Sequence, residues 1–175
     1  RTKALYVGRV APEKNLSVLV DIFKNRSDVD LVVVGDGPYL QEMKTALPNA
    51  EFLGKVTGEQ LSQAYANGDF FVFPSRTDTL GNCVLEAMSS GLPVIVSDAM
   101  GPKELVKQGE TGFITTSNED FSRSVNTLAT DSGRRQRMGQ AALASAKLRS
   151  WDEIFHQLTG YYDSLTHKQT ATIQV

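Results

Sequence analysis

Short runs of apolar residues recur along the chain, separated by segments in which apolar residues have helical spacing. Leu16, Leu19 and Phe23 follow one another at helical spacing, and so do Leu61 and Tyr65. Strands that alternate with helices form a parallel sheet with helices on both faces, and such strands are apolar throughout. The pattern therefore predicts an α/β fold whose parallel sheet has about six strands. The predicted strands are residues 4–8, 31–35, 50–53, 70–73, 93–97 and 112–115.

The last third of the chain has longer helical patterns. Phe121, Val125 and Leu128 predict one helix, the alanine-rich segment 134–147 predicts a second, and Trp151 begins a third. This third helix would start at a capping box, which pairs a serine with a glutamate in the first turn. The residues of that box are Ser150 and Glu153.

The ends of the chain also support predictions. Residues 166–175 are polar and lack periodicity, so we expect a disordered tail after a single domain that covers residues 1–165. At the other end, Arg1 to Lys3 lead directly into a strand, and no initiator methionine precedes them. We therefore expect this sequence to be a domain taken from a longer protein.

Composition narrows the classes of function. The chain has 175 residues with 41% hydrophobic content, which suffices for a single core, and its formal net charge is −2. That charge gives no long-range attraction for nucleic acid, so no nucleic-acid partner is expected. One cysteine excludes an internal disulfide, and no apolar segment is long enough to be a transmembrane span. A cytoplasmic location is predicted.

Residues 74–98 read as strand end, loop, helix, turn and strand, and they carry two acids. Asp78 lies in the loop, Gly81 opens the helix, and Glu86 lies about one turn further into it. Ligands of open α/β sheets bind at the carboxyl ends of the strands, and the free N–H groups of a helix start attract phosphate. The segment therefore predicts a site for an anion that carries hydroxyl groups.

Two cations and two turns accompany this segment. Arg9 follows the first strand and Lys14 lies at the start of a helix, so both can reach one anion above the sheet, although solvated surface cations are the alternative. The Gly-Asp-Gly-Pro turn at residues 35–38 is a strand-to-helix turn, with Pro38 at a first helical position. A further strand end follows at residues 54–56.

Together these motifs resemble the donor-binding half of the retaining glycosyltransferases of family four. The resemblance covers roughly residues 4–115. Four motifs carry it in the family's order: LYVGRVAPEKN from Leu5, VVVGDGP from Val32, EFLGKV from Glu51, and an acid, seven residues and a glutamate from Asp78 to Glu86. Two positions depart from the family pattern. Asp78 stands where most members have glutamate, and Met100 stands where a glycine pair is common.

The resemblance implies a role for each site residue. Arg9 and Lys14 would hold a nucleoside diphosphate, Asp78 would bind the transferred sugar, and these three form the predicted catalytic set. Glu86 would accept hydrogen bonds from the ribose hydroxyls. The loop and helix start would meet the sugar and distal phosphate through main-chain N–H groups, and the strand end would meet the base. Those residues are Thr79, Leu80, Gly81, Asn82 and Cys83 at the helix start, and Gly54, Lys55 and Val56 at the strand end.

Some of these assignments have simpler alternatives. For Lys55 a solvated surface position is favoured over a charged contact with the base. The thiol of Cys83 lies at a helix start, where its pKa can fall, yet a packing role is favoured. Glu104 is a weak nucleotide-contact hypothesis beside a helix-start acid. His156 and His167 lie outside every motif, and we predict neither a nucleophile–histidine pair nor a metal site.

The resemblance implies a Rossmann-like sheet that forms the C-terminal half of a two-domain GT-B glycosyltransferase. The donor would be a nucleoside diphosphate sugar of the UDP, GDP or ADP type, no cofactor would be required, and a lipid, glycan or small molecule would accept the sugar. The acceptor would be held by an N-terminal domain that this chain lacks, so this piece alone should be inactive. The full enzyme could be peripheral at the inner membrane face. The alternatives are a GT-B sugar-nucleotide epimerase and a non-catalytic nucleotide-binding domain.

Overall fold

One parallel sheet organises the protein in a computed structural model, which describes residues 1–149. The strands are Thr2–Val7 (β1), Val29–Val34 (β2), Glu51–Gly54 (β3), Phe70–Phe73 (β4), Val94–Ser97 (β5) and Gly112–Thr115 (β6). They lie in the order β3-β2-β1-β4-β5-β6, and every neighbouring pair is parallel. All six predicted strands are confirmed. β1 and β2 begin about two residues earlier than predicted, because the ladder between them already starts at the Thr2–Val29 and Lys3–Asp30 pairs.

Helices connect the strands among residues 1–149. The helices are Ser17–Phe23 (α1), Leu40–Ala46 (α2), Gly58–Ala66 (α3), Asn82–Ser89 (α4), Pro102–Leu105 (α5), Asn118–Thr130 (α6) and Ser132–Lys147 (α7), with a 3₁₀ turn at Pro12–Lys14. Crossovers between parallel strands are right-handed. Because β1 to β3 run toward one edge and β4 to β6 toward the other, α1 and α2 lie on one face and α3 and α4 on the opposite face. Helices on both faces were predicted.

The most completely buried part of the sheet is its middle. Every residue of β4 and β5 is buried, as is usual for parallel strands covered on both faces. The rings of Tyr6 on β1 and Phe73 on β4 stack with centroids 6.1 Å apart, and Phe71 and Phe73 stack at the same distance. This aromatic layer lies under the carboxyl ends of β1 and β4, so it supports the loops that leave the sheet there.

Side-chain caps determine where the two longest helices of residues 1–149, α6 and α7, begin. Ser117 accepts a hydrogen bond from the Asp120 N–H at the start of α6, and Asp131 accepts one from the Arg134 N–H at the start of α7. The predicted alanine-rich helix is α7, which its cap starts at Ser132. Pro38 was wrongly placed at the first helical position, because α2 begins at Leu40 after a turn. Several predictions fall outside the described residues: the helix from Trp151, its capping box, both histidines, the boundary at residue 165 and the tail at 166–175.

The loops after β1 and β2 lie in direct backbone contact. The Gly8 N–H donates to the Val34 carbonyl at 3.0 Å, and the Val10 N–H donates to the Asp36 carbonyl at 2.9 Å. A Cβ atom on Gly35 would lie 1.8 Å from the Gly8 carbonyl oxygen, and φ of Gly35 is 136°. Only a residue without a side chain fits there. The two loops therefore form one rigid wall at the carboxyl end of the sheet.

Gly35→Ala should lower the free energy of unfolding, because its Cβ would clash with a carbonyl that cannot move without breaking the β1–β2 ladder. We expect a loss of at least about 1 to 3 kcal/mol, the usual cost of overpacking. Urea unfolding followed by circular dichroism measures it. Gly133→Ala on α7 is the matched control, since its Cβ would meet only side-chain atoms of Arg137 and Asp131. Equal unfolding midpoints for the two variants would contradict the rigid-wall interpretation.

Candidate functional site

The order of the strands reverses between β1 and β4, which are neighbours although two other strands separate them in sequence. The loops that follow these strands run in opposite directions and leave a crevice between them. Ligands of open α/β sheets bind in this crevice. Arg9 and Lys14 follow β1, and Asp78 follows β4. The fold therefore brings the predicted catalytic residues to the two sides of one crevice.

The loop after β1 is held in place by its own polar groups. Lys14 is the last residue of the 3₁₀ turn, and Asn15 follows in a left-handed conformation with φ of 56°. The Asn15 side-chain amide donates to the Pro74 carbonyl at 3.2 Å, which ties this loop to the end of β4. The prediction that Lys14 starts a helix is therefore wrong in detail, because α1 begins later, at Ser17.

Lys14 and Asp78 form an ion pair across the crevice. The Lys14 Nζ atom donates to both carboxylate oxygens of Asp78, at 2.9 Å each. The two side chains keep 17% and 24% of their exposure, so solvent screens this pair less than a surface pair. Asp78 was predicted to bind a sugar and Lys14 a phosphate. In the structure each is the partner of the other, and both predicted roles stay predictions.

Arg9 has an acidic partner as well. Its guanidinium lies 3.3 Å from the Glu13 carboxylate, and the side chains are 65% and 46% exposed. Such an exposed pair contributes about 0 to 1 kcal/mol, so Arg9 is able to turn toward another anion at little cost. Glu13 therefore has a structural role as the partner of Arg9. Convergence of Arg9 and Lys14 on one anion stays a prediction.

The N-terminus of α4 faces the same crevice. Gly81 precedes the helix with φ of 68°, as a residue opening a helix from a tight turn, and its carbonyl accepts from the Val84 and Leu85 N–H groups. Within the described residues, the N–H groups of Asn82 and Cys83 have no acceptor, as is normal for the first turn. They point along the helix dipole toward the end where anions bind. Of the predicted main-chain contacts at Leu80 to Cys83, the N–H groups of Asn82 and Cys83 are therefore free to bind a ligand, and the contacts themselves stay a prediction.

A second loop supports the segment that carries Asp78. A Cβ atom on Gly101 would lie 2.4 Å from the Thr79 carbonyl oxygen and 2.6 Å from that of Asp78. The backbone of Asp78 and Thr79 therefore rests directly on Gly101. Met100, which departs from the family pattern, is 80% exposed beside this contact. The Glu104 carbonyl accepts from Arg149 at 2.9 Å, and its role toward a nucleotide stays a prediction.

Glu86 lies on the second turn of α4, at the mouth of a cavity of about 640 Å³ between α3 and α4. Its apolar neighbours predicted little contact with solvent, but the residue is exposed. The neighbours turn inward, with Ala87 and Met88 fully buried, while Glu86 points along the cavity wall. Its Oε2 atom accepts a hydrogen bond of 2.7 Å from the Tyr65 hydroxyl. A cavity position for Glu86 agrees with the predicted ribose role.

Sequence reasoning missed two tyrosines at this site. Tyr65 was assigned to the core stripe of α3, and burial together with the hydrogen bond to Glu86 raises its pKa. Tyr6 was assigned to the first strand, and its hydroxyl donates to the Arg9 carbonyl at 2.9 Å. Burial is the main cause of the raised pKa of Tyr6, with Cys83, Asp78 and Glu13 adding to it. A tyrosine in an apolar run needs a partner for its hydroxyl, and that need is the signal that could have found both.

A second cavity, of about 540 Å³, lies beyond the ends of β1, β2 and β3. Of the predicted base contacts, Lys55 and Val56 line it, and Lys55 is exposed. Gly54 is absent from the lining, and its carbonyl accepts the Gly35 N–H at 2.8 Å. The Gly-Asp-Gly turn lines the cavity with Arg9. The cavity therefore joins the predicted base site to the predicted phosphate site.

Residues 1–149 contain neither a metal cluster nor a membrane-spanning helix. No group of three or more His, Cys, Asp or Glu side chains in this part of the chain could hold a metal ion. No helix within the same residues is both long and apolar enough to cross a membrane.

A comparison with protein-family models matches residues 1–144 to the family described as glycosyl transferases group 1. The match covers all of the site residues described above. The chain belongs to the group 1 glycosyl transferases.

Curated relatives among the group 1 glycosyl transferases extend the comparison. The Arabidopsis thaliana sulfoquinovosyl transferase SQD2 is 39% identical over 155 residues, which are 84% of this chain and 30% of that protein. A GDP-mannose-dependent alpha-mannosyltransferase of Mycolicibacterium smegmatis is 37% identical over 166 residues, 94% of this chain and 44% of that protein. The chain therefore spans less than half the length of these relatives.

Solved structures confirm the fold class. The Anabaena protein HepE, solved in complex with UDP-glucose, matches with a TM-score of 0.78 and 25% identity over 94% of this chain and 49% of that protein. Sucrose-phosphate synthase from Thermosynechococcus elongatus matches with a TM-score of 0.81 and 23% identity over 95% of this chain and 46% of that protein. Both are GT-B glycosyltransferases, so the predicted architecture is that of group 1 enzymes.

The Cys83 thiol should be unreactive in the folded chain. Burial, aided by the nearby Asp78 and Glu86 carboxylates, raises its pKa to about 12, so almost none of it is thiolate at pH 8. Iodoacetamide should alkylate the folded chain far more slowly than the urea-unfolded chain, in which the pKa returns to about 8.5. Mass spectrometry follows both reactions. Equal rates would show an activated thiol and would contradict the packing role.

Proposed function

We propose that this chain is the donor-binding domain of a retaining glycosyltransferase and that it holds a nucleoside diphosphate sugar in the β1–β4 crevice. One observation carries the proposal. Lys14, Asp78 and the free N–H groups of the α4 N-terminus meet where the strand order reverses. A cation and a helix start on opposite walls suit a diphosphate, and a carboxylate between them suits sugar hydroxyls.

In this proposal, the diphosphate replaces the carboxylates that are paired with Lys14 and Arg9. It displaces Asp78 from Lys14, and Arg9 leaves its exposed pair with Glu13 to join the second phosphate. Negative charge grows on the phosphate as the bond to the sugar breaks. Lys14, Arg9 and the N–H groups of Asn82 and Cys83 stabilise that charge, the kind of contribution that is worth about 3 kcal/mol per donor in other enzymes.

The rest of the donor follows the two cavities. The base lies in the cavity lined by Lys55 and Val56, and the ribose lies between that cavity and Glu86. Leu61 lines both cavities, so the two are adjacent along α3. Asp78, once released from Lys14, accepts hydrogen bonds from hydroxyls of the sugar. Because aspartate is shorter than the glutamate of most family members, it favours a sugar that lies deeper in the crevice.

The relatives guide the choice of donor. The mycobacterial relative is named as GDP-mannose-dependent, and the HepE structure contains UDP-glucose. A nucleoside diphosphate hexose is therefore the donor class, and GDP-mannose is the first donor to test. The curated relatives described above are named as transferases, so we do not carry the epimerase or the non-catalytic alternative further.

The acceptor is held by a part of the protein that this chain does not include. The chain spans less than half the length of the two curated relatives described above, and within residues 1–149 the crevice is walled by the loops of one sheet. We propose an N-terminal domain as the partner across the crevice, with a lipid, glycan or small molecule as acceptor. The chain by itself should bind the donor and transfer no sugar.

A thermal-shift panel with UDP, GDP, ADP, UDP-glucose and GDP-mannose tests donor binding. A ligand at one hundred times its dissociation constant adds about 2.7 kcal/mol, which raises the melting temperature of a chain of this size by roughly 5 to 10 °C. We expect the nucleotides of one base to produce this shift. The absence of a shift with every ligand would contradict donor binding by this chain.

Asp78→Asn should strengthen the binding of the free nucleoside diphosphate and weaken the binding of its sugar conjugate. The substitution releases Lys14 and removes a negative charge that repels phosphate, a gain of about 1 kcal/mol or fivefold. It also replaces one of the two carboxylate oxygens that would accept hydrogen bonds from sugar hydroxyls by an NH₂ group, and it leaves the other oxygen without its charge. Isothermal titration calorimetry with both ligands measures the two affinities.

Asp21→Asn is the matched control for this substitution. It changes the net charge equally and also breaks a lysine–aspartate pair, the 2.9 Å contact of Asp21 with Lys24 on α1. Neither affinity should change in that variant. If Asp78→Asn lowered the affinity for both ligands by the same factor, Asp78 would act on the phosphates. Its assignment to the sugar would then be wrong.

A further inference from the structure

We propose that Tyr65 is a positioning residue that gives the donor site its preference for ribose, because it holds the Glu86 carboxylate in a binding orientation. The inference rests on the function proposed above. Its basis is the hydrogen bond of 2.7 Å from the Tyr65 hydroxyl on α3 to the Glu86 Oε2 atom on α4. The spacing of apolar residues assigned Tyr65 to a helix stripe and did not identify the partner of its hydroxyl.

Tyr65 is rigid enough to position another side chain. It is 3% exposed, and its ring packs against Phe71 on β4 with centroids 6.1 Å apart. Its hydroxyl has a second acceptor within reach, the Cys83 carbonyl at 3.4 Å. A hydroxyl carries one proton, and a charged acceptor at 2.7 Å makes a stronger bond than a neutral one at 3.4 Å. The proton therefore lies toward Glu86.

Glu86 needs such a partner, because it is exposed. A free glutamate side chain on a helix samples several rotamers, and fixing it for a ligand costs conformational entropy. Because Tyr65 fixes Oε2, the Glu86 side chain loses this conformational entropy on folding and not on binding the nucleotide. Among the described residues no other donor reaches the Glu86 carboxylate, so Oε1 and the remaining lone pair of Oε2 are available to two hydroxyls.

The position of α3 explains why a ribose would meet this carboxylate. Leu61 lies one turn before Tyr65 and lines both the base cavity and the cavity at Glu86. A base in the first cavity therefore places its ribose beside the second. The 2′ and 3′ hydroxyls of ribose are two neighbouring donors, whereas a 2′-deoxyribose offers only one. A carboxylate held in one orientation distinguishes the two sugars better than a carboxylate that is free to turn.

A purely structural role for Tyr65 makes a different prediction. As a link between α3 and α4, it would affect the free energy of unfolding but not the choice between ribose and deoxyribose. The informative quantity is therefore the ratio of the affinities for a nucleoside diphosphate and for its 2′-deoxy form. Tyr65→Phe keeps the ring and its packing and removes only the hydroxyl.

The experiment measures the binding of GDP and 2′-deoxy-GDP, or the UDP pair if UDP gives the thermal shift, to the 175-residue chain by calorimetry. We expect the wild type to prefer the ribonucleotide about tenfold, the factor that corresponds to about 1.4 kcal/mol. Glu86→Ala should abolish the preference. Tyr65→Phe should reduce it to about threefold or less, with a small loss in melting temperature. In the Glu86→Ala background, Tyr65→Phe should change neither affinity.

Tyr39→Phe is the matched control, since Tyr39 lies at the start of α2 and lines neither of the two cavities. It should keep the full ribose preference. A full preference in Tyr65→Phe would overturn the positioning role, and so would an equal effect of Tyr65→Phe in the Glu86→Ala background. A wild type that binds the ribo and deoxy forms equally would overturn the role of Glu86. A wild type that binds neither form would overturn the proposed function and this inference with it.

Discussion

The reversal of strand order between β1 and β4 is the constraint on which the candidate site depends. Adjacent parallel strands elsewhere in the sheet send their loops in the same direction, and helices close over them. At the reversal the loops diverge, and the backbone groups at the ends of β1 and β4 would be left to solvent. The Asn15 amide, which donates to the Pro74 carbonyl, and the Lys14–Asp78 pair tie the two loops together there. Of these two contacts, the Asn15 hydrogen bond would still join the loops after the proposed diphosphate has replaced Asp78 at Lys14.

Each of the two cations proposed to bind phosphate lies against a carboxylate in the crevice. An isolated charge at a partly buried position is unfavourable, so the protein supplies temporary partners. Asp78 neutralises Lys14, and Glu13 neutralises Arg9. The pair at Lys14 is the more enclosed of the two. In the proposed function, exchanging Asp78 for a phosphate would therefore contribute less net free energy than the attraction of lysine for phosphate alone. The same exchange would disfavour a weak anion, because the carboxylate it has to replace is held at two oxygens.

Much of the fold could be predicted from the sequence, because parallel strands that are buried on both faces consist of consecutive apolar residues. β4 is apolar throughout, and the only polar residue of β5 is its last one, Ser97. Both strands are found where they were expected. The layout of Asp78, Gly81 and Glu86 was also readable, since a loop, a glycine and a helix follow one another within a few residues. Pro38 was misplaced because a turn that packs on the β1 loop, rather than proline geometry, decides where α2 begins.

The contacts that complete the site could not be predicted in the same way. Lys14 and Asp78 lie 64 positions apart, and Tyr65 and Glu86 lie 21 apart on different helices, so only the packing of the elements brings them together. Periodicity assigned Tyr65 to the core, and its ring is indeed in the core. Its hydroxyl, however, reaches the edge of the core and donates a hydrogen bond to Glu86. A side chain with an apolar body and a polar tip serves both the core and the site, and a single pattern of hydrophobic positions reports only the first.

The division between side-chain and main-chain groups explains why the donor's identity is harder to read than its class. The groups proposed for the diphosphate and the ribose are charged side chains, whose residue types are constrained by the charge they must carry. The cavity proposed for the base is formed largely by the Gly-Asp-Gly turn and by strand ends, where most side chains are small and backbone groups are the predicted contacts. Different sequences can present the same backbone groups. A uracil or a guanine therefore has to be distinguished by the shape of that cavity, which is set by how closely Gly35 and Gly37 approach the loop after β1.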